Sequence, residues 1–476
     1  MATVVDAYRR AVSGGDLSEF SLTGYDRTGV PVVATVWDDG RHDAHGVGYG
    51  RSEEAATTGA LGELAERVVL APEVLALPRR RASYAQLRDE LGVAGVVDPV
   101  TLVLPAGSTH DADRPLEWVP ATRWRTGETV AVPLEFVAFD GGTLTGAPPE
   151  GGWLTTPITN GLGAGDTLER AVGHGLLELL QRDGDTVSFR ALDEGVVVDV
   201  DASDDPTTRE LVARYRAVGI EPVVKLAATE FVPVVYCVGR DDDPATEPMA
   251  LGAVGEAAHP DRDVAIGKAL LEYASSRARR VFAFGPFAGV QQRHPAYAEA
   301  ELRRPLGEQE PRALQAMRRW SGWDGARMRE VLDPVFGRRT RTVPPSDLAA
   351  TGELAPAALL EHLLGMLADF DVLVVASGPG EIRAAKVVVP GLEVETMSYL
   401  RIGERVARRL LDRGSPLVGR GTPDRPSRLP VLLTPEATER LGGPVWLDAA
   451  EVERTVGDLY PLYREPRRHA VARSAS

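Results

Sequence analysis

The sequence predicts a mixed α/β protein of layered subdomains, arranged around an internal duplication with pseudo-two-fold symmetry. Three observations predict it. Strand-patterned and helix-patterned segments alternate, and several strands come in hairpin-like pairs, which favours mixed layers over a doubly wound parallel sheet. An offset of 115 residues carries Glu63 onto Glu178, Arg67 onto Arg182, Gly48 onto Gly163 and Leu61 onto Leu176. A constant offset is the mark of duplicated units. Finally, 476 residues with 43% hydrophobic content exceed the usual size of one core, so two or three subdomains are expected.

The elements follow in order. Residues 30–38 alternate as a strand. Residues 52–70 read as an amphipathic helix with Ser52 at its N-cap and acids in its first turn. Proline punctuates 71–115, which reads as irregular, and VAVPLEFVAFD reads as a strand before a turn at Gly141-Gly142. A second helix, roughly 167–182, is capped by Asp166 or Thr167. Short strands in 187–201, a helix ending at Gly219, and the strands EPVVKLAA and FVPVVYCVG come next. A third helix at 262–282 keeps Ala265, Leu270 and Glu272 at the spacing of Ala56, Leu61 and Glu63, a weaker third echo. Residues 283–347 mix charge, Pro and Gly between short helices and read as a mobile excursion. A helix at APAALLEHLLGMLADF, the strands DVLVVASG and AAKVVVPGLEVE, and a helix near 448–459 complete the chain. The organisation is an N-terminal segment 1–45, a body 46–405 and a Pro/Arg-rich C-terminal segment 406–476.

Composition narrows the function. A formal net charge of −16 argues against non-specific binding to nucleic acid or anionic membrane. The N-terminus has no apolar run of signal-peptide length, and no stretch is long and apolar enough to span a bilayer. The single cysteine, Cys237, lies in a strand pattern and reads as structural, which suits a reducing cytoplasm. Walker A, Gly-x-Ser-x-Gly and His-Glu-x-x-His patterns are missing, and the eight histidines lack zinc-ligand spacing. SGPGEI after a strand reads as a plain turn before a phosphate site.

The acidic helices carry the chemistry. Positions i, i+3 and i+4 share a helix face, so Glu63 projects with Glu66, and Glu178 with Gln181, with His174 one turn behind. A solvated polar face is the ordinary reading of one such helix. Duplication after a Gly-x-Gly weakens it. Paired carboxylates suit Mg²⁺, which bridges one or two of them to substrate phosphates. Backbone N–H groups at a glycine-rich helix entry can hold phosphate oxygens. Together these point to a nucleotide–Mg²⁺ site built from helix faces.

ITNGLGAGDTLERAVGHGLLELLQRD closely resembles the signature of the YcaO family, a Ser/Thr-Asn-Gly-Leu-Ala-Ala-Gly turn leading to a helix that ends Glu-x-x-Glu-Arg-Asp. GYGRSEEAATTGALGELAER, ALLEYASSR and VVVPGLE resemble its other segments in the same order, over about 46–405. The resemblance implies layered α/β subdomains of YcaO type and two cofactors, ATP and Mg²⁺. It implies activation of a peptide backbone amide by O-phosphorylation during maturation of a ribosomally made peptide, giving an azoline, thioamide or amidine. Carried over by position, it implies Glu63, Glu66, Glu178 and Gln181 as the Mg²⁺ set. Arg67, Thr159, Asn160, Arg182, Glu272 and Arg277 become nucleotide or phosphate contacts. The expected partners are a peptide substrate, a separate leader-peptide recognition protein and a second copy of the chain, with no nucleic acid and no membrane.

Departures from the pattern leave a rival. Gln181 stands where the family has a ligating Glu, Ser275 where it has Gln, and Tyr49 in a turn that often carries Lys. The C-terminus lacks the Pro-x-Pro-x-Pro ending of azoline-forming members. The alternative is a catalytically degenerate scaffold that binds a peptide or partner without ATP turnover.

Overall fold

The computed structural model describes residues 3–474. Its architecture is mixed α/β, with four sheets and helices between them. Three strand–helix units organise the molecule: β1 (Asp43–Tyr49) with α1 (Glu53–Val68), β2 (Leu162–Gly165) with α2 (Leu168–Asp185), and β3 (Gly255–Ala258) with α3 (Arg262–Phe284). Each helix starts at a side-chain cap, from Ser52, Thr167 and Asp261 respectively, which satisfies an otherwise unpaired N–H of the first turn.

Each labelled strand ends a sheet. β1 closes a three-stranded antiparallel sheet after Asp16–Ser21 and Val32–Asp38. β2 ends a sheet that runs through Arg383–Val388, Leu373–Ala376 and Pro115–Arg123 to Arg80–Ser83. β3 ends a five-stranded sheet that continues into Val234–Asp241, Ile220–Ala228, Val196–Val198 and Arg341–Val343, the last two parallel. Cys237 lies buried in this sheet, as its strand pattern predicts.

The units interlock in a cycle. Each helix packs on its own strand and on the strand of the next unit: α1 on β2, α2 on β3, α3 on β1. The weak third echo in the sequence is thus a full structural member, and the duplication extends from two copies to three. The glycines shared by the first two copies explain the tight strand–helix contact. A Cβ at Gly48 would lie 2.1 Å from the Ala56 carbonyl oxygen, and one at Gly163 would lie 2.0 Å from that of Ala171. These glycines sit in or just beyond the strands rather than in an N–H cradle at the helix entry. Gly48 pairs with Val33 and Gly163 with Ala385, so close packing, not phosphate binding, is their local reason.

Three other expectations change. Residues 71–115 contain the helices Ala71–Ala76 and Tyr84–Leu91 and the strand Arg80–Ser83. The run at 130–140 is strand only to Pro133 and then turns into the short helix Leu134–Val137. Residues 283–347 do not stand off as an excursion. The helices Pro311–Ser321 and Gly325–Phe336 bury Met317, Trp320, Met328 and Leu332 in a core with Tyr236 and Phe284. The arginines made this segment look solvated, but its apolar residues recur at helical spacing and cover the five-stranded sheet. The C-terminal segment is likewise packed, with a three-stranded sheet of Val418–Arg420, Val445–Asp448 and Arg428–Pro430. Glu465 there pairs with Arg279 and Arg280 of α3. SGPGEI is a hairpin loop whose Gly378 N–H donates to Glu73, 3.1 Å away.

Candidate functional site

The polar faces of α1 and α2 meet where the three units converge. Their opposite faces hold Leu61, Leu64, Leu176 and Leu180 in the core, so the acids have one direction left. Glu63 Oε2 accepts the Val47 N–H at 2.8 Å, and Glu178 Oε2 accepts the Gly161 N–H at 3.0 Å. Each carboxylate is therefore aimed by a backbone group at its own strand. Arg67 lies 3.5 Å from Glu63, and Arg182 3.7 Å from Glu178, one turn further along each helix.

Glu66 faces α2 across the gap, 3.6 Å from His174 Nε2. Burial, then the charges of Glu178 and Glu63, hold the Glu66 carboxyl well above its ordinary range. Burial also raises Glu178, against the opposing Arg182, Gly161 N–H and Lys386. Glu66 is thus held against the negative charge of two neighbouring carboxylates, a condition that a divalent cation relieves. No three acids or histidines stand at ligating distance of one point among the described residues. That spacing suits Mg²⁺ held through one or two carboxylates, with phosphate oxygens and water completing its shell.

α3 supplies the third wall. Glu272 Oε2 accepts the Tyr49 hydroxyl at 3.1 Å, and its pKa is pushed up to about 7 by burial and then by Glu256. Thr159 and Asn160 sit on the turn before β2, where Gly161 adopts φ +86°. Lys386 donates to the carbonyls of Ile158 and Asn160, both at 2.7 Å, and so fixes this turn. Burial pushes the Lys386 pKa down to about 7. Asn160 and Lys386 line a cavity of about 50 Å³ with Glu135, Glu393 and Arg401.

Two expected residues need correction. Arg277 does not reach the cleft: it is fully buried, with Nε on Asp26 at 2.9 Å and Nη2 on Asp241 at 2.8 Å. Five positions beyond Glu272 is about 140° around the helix, the far side. Arg279, seven positions on, returns to the Glu272 face, where both Glu63 and Glu272 act on it. Gln181 lies at the site but turns away from the three acids, its Nε2 donating to Glu256 Oε2 at 3.3 Å. Pattern reading missed Tyr49 as a partner of Glu272, and missed Lys386, Arg190, Glu256 and Arg279. Only Arg279 carried a signal, its phase on α3.

A family model described as YcaO cyclodehydratase, ATP- and Mg²⁺-binding, matches residues 47–393. An uncharacterised protein of Methanothermobacter thermautotrophicus is 29% identical over 389 residues, 81% of this chain and 91% of that protein. Among solved structures, YcaO from Methanopyrus kandleri bound with AMPPCP and Mg²⁺ matches at TM-score 0.55 and 21% identity, covering 84% of this chain and 91% of that one. A heterocyclase in complex with substrate and cofactor matches at TM-score 0.59 and 18% identity over 82% of this chain, which spans 52% of that protein. The cycle of three strand–helix units, the acids at the meeting of α1 and α2, and the family match agree: the chain belongs to the YcaO family, whose description is ATP- and Mg²⁺-binding.

Proposed function

We propose that this chain activates a peptide backbone amide with ATP and Mg²⁺ in the maturation of a ribosomally made peptide. The observation that carries the reading is the convergence of Glu63, Glu66 and Glu178 from two facing helices, with Arg67 and Arg182 one turn beyond the acids. Bound Mg²⁺ would neutralise charge on the transferring phosphoryl group and hold its oxygens. One or two of Glu63, Glu66 and Glu178 would hold the cation, with phosphate oxygens and water completing its shell, while Arg67, Arg182 and Arg279 are the cationic groups at hand for the phosphates. The amide oxygen gains the phosphoryl group as ADP leaves. A nucleophile then adds at the amide carbon and phosphate departs. Asn160 and the turn that Lys386 pins border this space. The chain's share of the chemistry is positioning and electrostatic stabilisation.

A separate recognition protein for the peptide leader fits this reading, as does a chain that works as a pair. The rival is a scaffold that binds peptide without turnover. Gln181 favours it, because the missing acid removes charge from the metal centre. The test incubates the protein with ATP, Mg²⁺ and a candidate precursor peptide, following phosphate release and peptide mass. Peptide-stimulated release that Glu63→Gln abolishes supports the enzyme. Nucleotide binding without release or mass change supports the scaffold.

A further inference from the structure

The acid missing from α2 has a counterpart across the cleft. Glu256 on β3 is 7% exposed, and both its oxygens are engaged. Its Oε2 accepts from Arg182 Nη1 at 2.7 Å and from Gln181 Nε2 at 3.3 Å, and its Oε1 accepts from Arg190 Nη2 at 2.8 Å. The equivalent strand positions in the other two units are Val47 and Leu162, both apolar. An acid at this strand position is thus confined to the unit that faces Gln181.

The chemistry of the contact explains the glutamine. A carboxylate at 181, 3.3 Å from Glu256, would add a third acid where Glu256 already faces Asp185, whose carboxyl is held well above its ordinary range by burial and then by Glu256. The neutral amide supplies the N–H instead. Arg182 and Arg190 each keep a buried Nε with no hydrogen-bond partner, so Glu256 is the acceptor that fixes both guanidinium groups through their Nη atoms. Arg190 is further fixed with its guanidinium 4.0 Å from the Phe189 ring centroid.

We propose that the fourth acid of the site is transposed from position 181 to position 256, where Glu256 is a positioning residue that holds Arg182 and Arg190 for the nucleotide phosphates and Gln181 is its obligatory neutral partner. This rests on the ATP reading. On this reading the amide at 181 is required beside Glu256, and an acid there does not improve the site.

A four-protein cycle tests it: wild type, Gln181→Glu, Glu256→Gln, and the double exchange. Affinity for a non-hydrolysable ATP analogue is measured by calorimetry at several MgCl₂ concentrations. Each single variant should lose about tenfold or more, and the double should return to within about threefold of wild type. Glu256→Asp keeps the charge and shortens the reach. It should weaken binding with the Mg²⁺ dependence unchanged. Additive losses in the double, or tighter binding by Gln181→Glu alone, overturn the transposition. No nucleotide binding by folded wild type overturns the ATP reading itself, and the inference with it.

Discussion

Glu63 and Glu178 each give one carboxylate oxygen to a backbone N–H and set the other beside Arg67 or Arg182, at 3.5 and 3.7 Å. Charge and fold can therefore be separated at these residues. In Glu63→Gln and Glu178→Gln the amide oxygen still accepts from Val47 or Gly161, so stability should change by no more than about 1 kcal/mol. Mg²⁺-dependent nucleotide affinity should fall tenfold or more, on the order of 1.4 kcal/mol. Paired calorimetry and thermal melts check this, and unchanged affinity would remove both residues from the site. Glu135 gives a pH signature. Burial pushes its pKa up to about 7, against the N–H groups of Leu154 and Thr155. A raised carboxyl binds its proton more tightly in the folded state, so ionising it costs stability as pH rises from the unfolded value to about 7. Glu135→Gln should therefore gain on wild type across that window, by an amount on the order of 3 kcal/mol, and hold the gain above it. Denaturant unfolding at pH 4.5, 6 and 8 measures the difference. A difference independent of pH would place the proton elsewhere. The acids of α1 and α2 were legible because a fixed offset and helical spacing are properties of the chain itself. Glu256 and Arg190 were not, because their pairing joins a strand to a loop that no local pattern connects. Arg277 was misread where motif position outweighed helix phase.

At the scale of elements, close packing of strand on helix positions the acids. Gly163→Ala would drive a methyl into the Ala171 carbonyl, and neither backbone can yield without shifting α2 on β2. The expected loss is about 1–3 kcal/mol, seen as a lower denaturation midpoint, together with weaker Mg²⁺-dependent nucleotide binding. A stable variant with full binding would show that the strand–helix distance does not set the site. The helices were legible to within a few residues, since Ser52 and Thr167 are cap residues before amphipathic runs. The short strand–helix switch at Pro133 and the elements within 71–115 were not. Proline marks both an edge and a break, and only the surrounding sheet decides between them.

At the scale of the whole molecule, the arginine-rich segment 283–347 belongs to the body. Met317 and Trp320 are no more than 1% exposed. Limited proteolysis should leave the helices Pro311–Ser321 and Gly325–Phe336 intact until the protein unfolds globally, as mass spectrometry of early fragments would show. Early cuts inside them would mean that this packing is weak. The interlocked cycle of three units has a kinetic consequence. Residues 43–68, 162–185 and 255–284 must all meet, and each gap between them holds a sheet or part of one. Closing such long loops carries an entropic cost before any of the shared contacts form. Local helix formation cannot assemble the cleft, so it should appear late and all at once. A chain paused before the third unit would have α1 and α2 but no β3 for α2 to rest on. Nucleotide competence should therefore rise in the slowest refolding phase, behind the recovery of helical signal.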